Sequence, residues 1–379
     1  MVITQSVSTL LLVLALVSPS VGMKQQNGSQ SQPPPQGQQP RGRNGPARSQ
    51  PAEADLPPTP APPRLQTASP VGGGPVRGGD DGPVKLGVDL VVLDALVLHQ
   101  KTGRAVGDLK REDFQLQEDG LAQEIANFDQ DTLPLSVIFL VDRGGCLDPF
   151  SEKVRRATQD ALARLKPQDE AALMAFADRT DLIADFTTRR EPIIRGLERI
   201  PAHNEEAQHC FSDAFYRAAD YMRRAGNPDG RRVIVVITAI TTHWDCGRYS
   251  TEDARQMLLE SGSVVCAIIP KTAIQRMENG IMRAATSLGR FKSKTDLKQI
   301  IDETGGEMLT DKPDALDQTF GVLMDHLRTR YTLGFVSTNA NRDGGFRKLK
   351  LEVKQRGTGS DDRLVVKTRR GYLARRGGR

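Results

Sequence analysis

From Ser136 onward the chain alternates two hydrophobic periods. Ser136-Val137-Ile138-Phe139-Leu140-Val141-Asp142 is a continuous apolar run closed by a carboxylate, the mark of a strand buried on both faces of a parallel sheet. A helical period follows over 151–165. Further buried strands are expected at 171–177, 232–238, 263–269 and 307–310, with an edge strand near 182–186. Helical periods fall at 192–200, 211–224, 252–260, 295–303 and 315–329. Strands alternating with helices predict an α/β fold with a doubly wound, mostly parallel sheet. In such a sheet ligands bind beyond the carboxyl ends of the strands, so Asp142, Thr238 and the loops after them share one rim.

The flanks carry a different pattern. Residues 88–98 alternate Asp with apolar positions, Phe114–Glu118 is a short strand, Asp119-Gly120 is a turn signal, and 123–128 is expected to pair back. After Arg330 the chain is β-rich again, at Tyr331-Thr332-Leu333-Gly334-Phe335, 347–353, 363–368 and Arg370-Gly371-Tyr372. The N- and C-terminal flanks are therefore expected to pack together as one small split β module beside the α/β domain.

Composition divides the chain sharply. No aromatic residue precedes Phe114, and 14 of the 23 prolines lie between Met23 and Lys85. The stretch Thr-Leu-Leu-Leu-Val-Leu-Ala-Leu-Val at 9–17 fits the core of a secretory signal, with small residues Ser20 and Gly22 before a cleavage point at Met23. The Pro/Gln/Gly-rich stretch that follows cannot bury enough apolar surface to offset chain ordering. The expected organisation is a signal peptide at 1–22, a disordered tether at 23–84 and the N-terminal part of the β module at 85–133. The α/β domain follows at 134–330, then the C-terminal part of the β module at 331–374 and a basic tail at 375–379. A net charge of +5 (52 basic, 47 acidic) is too mild to argue for nucleic acid, and no later stretch is apolar enough for a transmembrane segment once the signal is removed.

Enzymatic signatures are missing. Gly72-Gly73-Gly74 is fed by no strand and followed by no Gly-Lys-Ser/Thr, and no paired carboxylates, nucleophile elbow or dinucleotide fingerprint occurs. The expectation is a non-enzymatic protein without a cofactor.

Several stretches in order carry a resemblance: Asp113-Phe114 with Glu118-Asp119-Gly120, Pro134-Leu135-Ser136-Val137 leading to Asp142, and Ser212-Asp213-Ala214. It continues with Gly230-Arg231-Arg232-Val233-Ile234-Val235-Val236, Glu303-Thr304-Gly305-Gly306, Tyr331-Thr332-Leu333-Gly334-Phe335, Phe346-Arg347-Lys348-Leu349 and Arg370-Gly371-Tyr372. Together they resemble the von Willebrand factor type A-related proteins of the Acidobacteria. The resemblance implies a Rossmann-like type A domain used for protein contact or adhesion. It also implies, in metal-competent members, a divalent cation held by an Asp-x-Ser-x-Ser turn, a Thr from a second loop and an Asp from a third.

Against that pattern only Asp142 remains. The first turn reads Asp142-Arg143-Gly144-Gly145-Cys146, His209 stands where the Thr is expected, and Ala239 replaces the third-loop Asp. Arg143 adds a positive charge beside the site. Asp148, Asp213 and Asp245 have the wrong offsets to fill in. The expectation is a degenerate metal-ion-dependent adhesion site with no bound metal, Mg²⁺ included.

Cys146, Cys210 and Cys246 fall in the three rim loops, whereas Cys266 lies within an apolar strand. In an exported protein a disulfide among the first three is expected, with Cys210–Cys246 the preferred pair. An alternative is a Cys/His rim site with structural zinc or a thiol redox role, drawing on His209 and His243 with the same thiols. Asp142, Arg143, His209, Trp244 and Asp245 are the candidate contacts for a protein partner or another surface polymer.

Overall fold

The computed structural model describes residues 90–130, 133–200, 208–246, 248–271, 294–355 and 363–376. The expected signal peptide and tether, and the last residues of the basic tail, lie outside them.

Three apolar strands build the centre. β5 (Leu135–Asp142) is buried at all eight positions, and its neighbours β6 (Glu170–Phe176) and β8 (Arg231–Ile237) are nearly so. β10 (Val264–Pro270) and β12 (Met308–Asp311) extend the sheet on one side and β7 (Thr180–Thr187) on the other, in the order β12-β10-β8-β5-β6-β7. Every pairing is parallel except the β7 edge, which runs antiparallel to β6.

Because successive side chains of a strand point to opposite faces, each strand feeds two cores. Val137, Phe139, Val233 and Val235 pack beneath α1 (Ser151–Ala163), α2 (Glu191–Glu198) and the last helix, α6 (Leu316–Arg328). Ile138, Leu140, Ile234 and Val236 meet α3 (Phe211–Met222), α4 (Thr251–Ser261) and α5 (Leu297–Thr304) on the other face. Caps set two of these helices at the rim. Ser250 and Asp253 form a reciprocal capping box at α4, and Asp296 accepts from the Lys298 and Gln299 amides at α5.

The flanks fold into two four-stranded antiparallel sheets. One is β15-β1-β13-β4, made of β15 (Leu364–Thr368), β1 (Leu90–His99), β13 (Tyr331–Val336) and β4 (Ile125–Gln130). The other is β16-β14-β2-β3, made of β16 (Gly371–Leu373), β14 (Phe346–Val353), β2 (Phe114–Glu118) and β3 (Leu121–Gln123). Leu93, Phe114, Leu116, Tyr331, Phe335 and Leu351 belong to one shared core. The β2–β3 turn puts Asp119 at φ 48° and Gly120 at φ 86°, the left-handed pair that a two-residue hairpin requires.

One expectation is corrected here. The segment 123–128 does not return along β2 as a single strand. β3 stays with β2, while β4 crosses to pair with β13 through Phe128↔Leu333 and Tyr331↔Gln130. That crossing places Phe128 against Phe114 and Tyr331, with ring centroids 5.5 and 5.6 Å away, so apolar burial in the shared core sets where the chain divides.

Arg231 ties the β sheets to the α/β domain. Its fully buried side chain pairs with Asp94 of β1 at 3.2 Å and donates to the Leu327 carbonyl at 2.7 Å. Replacing it in Arg231→Leu leaves Asp94 without its counter-charge. The expected loss in denaturant unfolding is about 3 kcal/mol, at the low end for a buried pair because the Asp94 side chain keeps 21% exposure. Adding Asp94→Asn should recover part of that loss.

Candidate functional site

The rim forms where β5, β6 and β8 end. Asp142 closes β5 and is 1% exposed. A carboxylate only accepts hydrogen bonds, and burying one without partners is costly, so its surroundings are dictated by its charge. Four donors converge on it. The Gly144 amide lies 2.9 Å from Oδ1, the Thr238 hydroxyl 2.6 Å from Oδ2, His209 Nδ1 2.9 Å from both oxygens, and the Cys146 thiol 3.3 Å from Oδ2. Since the acceptor is a carboxylate, Nδ1 carries the proton in this contact.

Each donor is set by local chain geometry. Backbone bonds from Arg143 to Phe176 (2.8 Å) and from Cys210 to Ala177 (3.1 Å) fasten the first and second loops to the end of β6. Gly144 leaves the space that the imidazole fills, because a Cβ there would fall 2.4 Å from His209 Cε1 and 2.5 Å from Nδ1. His243 is buried and stands edge-on to His209, with ring centroids 5.6 Å apart. Cys146 Sγ also lies 3.8 Å from the Thr238 hydroxyl and 3.5 Å from the Ala239 amide.

The rim cysteines divide into two kinds. Cys210 and Cys246 form a disulfide with Cα atoms 5.5 Å apart, joining the second and third loops. Cys146, a disulfide candidate from sequence, is not part of it and remains a thiol, as does buried Cys266. Burial first, and the neighbouring Asp142 charge second, hold the Cys146 thiol well above its ordinary range. Burial pushes Cys266 up to about 11. Both thiols therefore stay protonated at neutral pH, which makes them poor nucleophiles.

The other candidate contacts are largely occupied within the protein. Arg143 pairs with Asp181 near the start of β7, and its side chain is 16% exposed. Asp245 accepts from the Thr251 hydroxyl (2.7 Å), the Thr251 amide (3.1 Å) and the Thr295 hydroxyl (3.0 Å), tying the third loop to the start of α4. Trp244 lies on β9 (Thr242–Trp244), which pairs with β11 (Lys294–Asp296), a ribbon the sequence reading lacked; its side chain is outside the described residues. Asp213 is buried against Thr180 and Arg217, and Asp148 is exposed on a short turn before α1.

Sequence reasoning placed Asp142 and His209 on one rim but missed two members of the cluster. Cys146 reads in sequence as a disulfide, zinc or redox thiol rather than a donor to Asp142, and the Thr238 hydroxyl was not read as a donor to it either. The Gly144-Gly145 pair was the available signal, since paired glycines allow a close approach of another side chain.

Residues 137–239 match the family model of the von Willebrand factor type A domain. No curated protein matches the sequence. Among solved structures, the von Willebrand factor type A protein from Catenulispora acidiphila is 10% identical, covering 68% of this chain and 73% of that one at a TM-score of 0.40. Proximal thread matrix protein 1 from the mussel byssus is 15% identical over 54% of this chain, at a TM-score of 0.37. This chain spans about half of that protein's length, 49%. A point mutant of the PilB minor pilin from Streptococcus sanguinis is 12% identical, covering 53% of this chain and 63% of that one at a TM-score of 0.39. At such overlap these likenesses say nothing of function. Type A domains are usually non-catalytic binding modules.

Mg²⁺ requires near-octahedral oxygen ligation. Here Gly144 and Ala239 supply no side-chain oxygen, and the donors around Asp142 are a thiol, an imidazole, an amide and one hydroxyl.

Two outcomes follow. Gly144→Ala should push His209 off Asp142 and cost about 1–3 kcal/mol in denaturant unfolding. Alkylation of the native, unreduced chain should be slow at Cys146 and absent at Cys266; unfolding without reductant should expose two thiols, and unfolding with reductant all four. Intact mass reads each case.

Proposed function

We propose that this is an exported, non-enzymatic binding protein whose type A domain has lost the hard-cation chemistry of its adhesion site and meets a protein partner through the rim without Mg²⁺ or Ca²⁺. The observation that carries the reading is the set of four protein donors on the buried Asp142 carboxylate. They meet the charge that a hard cation otherwise neutralises. The disulfide holds the second and third loops in one arrangement, so the rim needs no ion to shape it. A pre-shaped rim loses less entropy on meeting a partner.

Export is supported by the apolar leader at 9–17 and by the disulfide, which persists in oxidising compartments. The Pro/Gln/Gly-rich composition of the segment between leader and domain suits a spacer. The order of motifs along 88–374 supports membership in the Acidobacteria-type branch of von Willebrand factor type A-related proteins. Among the described residues no helix is long and apolar enough to cross a membrane.

The surface available to a partner is the half-buried face of Gly144, Cys146 and His209, with the third loop beside it. Arg143 and Asp245 serve mainly as braces, given their internal pairs.

The test uses the mature full chain, immobilised and exposed to extracytoplasmic proteins of the source cell, with the retained protein identified and its affinity measured. Affinity should be unchanged by added Mg²⁺ or Ca²⁺ and should fall when the disulfide is reduced. Affinity that rises with Mg²⁺ would contradict the reading, as would a mature chain that keeps residues 1–22 and stays inside the cell.

A further inference from the structure

Asp142, Cys146 and His209 each present one ligand atom, and these atoms all lie within 4.8 Å of one another. They come from two loops held by the end of β6, so the grouping belongs to the framework rather than to one flexible segment. The trio contains one carboxylate, one thiol and one imidazole. That mixture is poor for Mg²⁺ and Ca²⁺ but is a donor set that tetrahedral Zn²⁺ accepts.

The spacing agrees with the chemistry. With Zn–N and Zn–O near 2.0 Å and Zn–S near 2.3 Å, tetrahedral angles separate ligand atoms by roughly 3.3–3.5 Å. His209 Nδ1 lies 2.9 Å from either Asp142 oxygen, and Cys146 Sγ lies 3.3 Å from Oδ2. An ion among them needs Nδ1 and the carboxylate oxygen to part by a few tenths of an ångström, while Nδ1 and Sγ lie within 4.8 Å of each other. Arg143 does not oppose this as its position in sequence suggests, because its guanidinium is paired with Asp181.

We infer that the rim has exchanged a hard-cation site for a soft one: Asp142, Cys146 and His209 bind one Zn²⁺, leaving a fourth position toward the rim surface. The inference rests on the reading of the rim as having lost Mg²⁺ chemistry. On binding, Cys146 gives its proton to solvent and becomes the thiolate ligand, while His209 binds through Nδ1 and carries its proton on Nε2. The Thr238 hydroxyl and the Gly144 amide keep their bonds to the carboxylate and orient it, as outer hydrogen bonds do around metal-bound carboxylates. Gly144, Cys146 and His209 are all half-buried, so this face of the trio meets solvent. A water, or a donor side chain from the partner, completes the tetrahedron there.

The test is titration of the metal-free, unreduced full chain with Zn²⁺ alone, followed by intact native mass and calorimetry, and with Co²⁺ alone, followed by absorption. One equivalent of Zn²⁺ should bind, and Co²⁺ should give a thiolate charge-transfer band in the near ultraviolet. Cys146→Ser should abolish the band. Both Cys146→Ser and His209→Gln should weaken Zn²⁺ binding beyond the roughly 10- to 100-fold expected from loss of an outer hydrogen bond. Cys266→Ala should leave stoichiometry and spectrum intact, and circular dichroism confirms that each variant is folded. Failure of the wild-type chain to bind Zn²⁺, or equal binding by Cys146→Ser, overturns the zinc site and leaves the metal-independent rim standing. Stoichiometric Mg²⁺ held in preference to Zn²⁺ overturns both.

Discussion

A carboxylate sealed at the end of a central strand constrains everything built around it. Asp142 is 1% exposed, and β5 delivers it to the rim between β6 and β8, where it cannot turn to solvent. Its charge has to be met by donors or by a cation. In this protein the donors are all present: a backbone amide from the tight first turn, a hydroxyl from the end of β8, an imidazole from the second loop and a thiol. Gly144 cannot carry a Cβ because His209 occupies that space. The second loop has to sit where the Cys210–Cys246 bond and the Ala177 carbonyl hold it.

The remainder of the chain supports that arrangement from below. Two cores, one on each face of the sheet, fix where β5, β6 and β8 end, and the flanking antiparallel sheets join the α/β domain at the start of β8 through Arg231 and Asp94. The opposite end of β8 carries Thr238, so one strand links the brace to the site. The fold that presents the rim rests on these cores, whichever side chains line its loops.

Much of this was legible in sequence, for local reasons. The run from Ser136 to Asp142 reads directly as a buried parallel strand, and the alternation that follows it gives the doubly wound sheet. The Cys210–Cys246 pair was readable because three cysteines fall in loops of one rim and the two glycines before Cys146 let its loop turn elsewhere. Contacts between distant segments were not readable. Arg143 looks like an open charge until its pairing with Asp181, 38 residues away, is seen. The segment 123–128 reads as one strand because nothing local shows that Tyr331 and Leu333 will capture its second half. Cys146 and Thr238 are separated by 92 positions, and only the parallel pairing of β5 with β8 brings them to the same carboxylate.

The central claim is that His209 and its neighbours stand in for a hard cation at Asp142. The most direct measurement is the long-range ¹⁵N–¹H correlation of the histidine rings in the full chain without metal, with His209 assigned by His209→Gln. The account predicts a His209 ring protonated on Nδ1 and engaged by a carboxylate, with shifts that do not move when Mg²⁺ or Ca²⁺ is added. A His209 ring that exchanges freely between tautomers like an exposed histidine, or that shifts on addition of Mg²⁺, would contradict it.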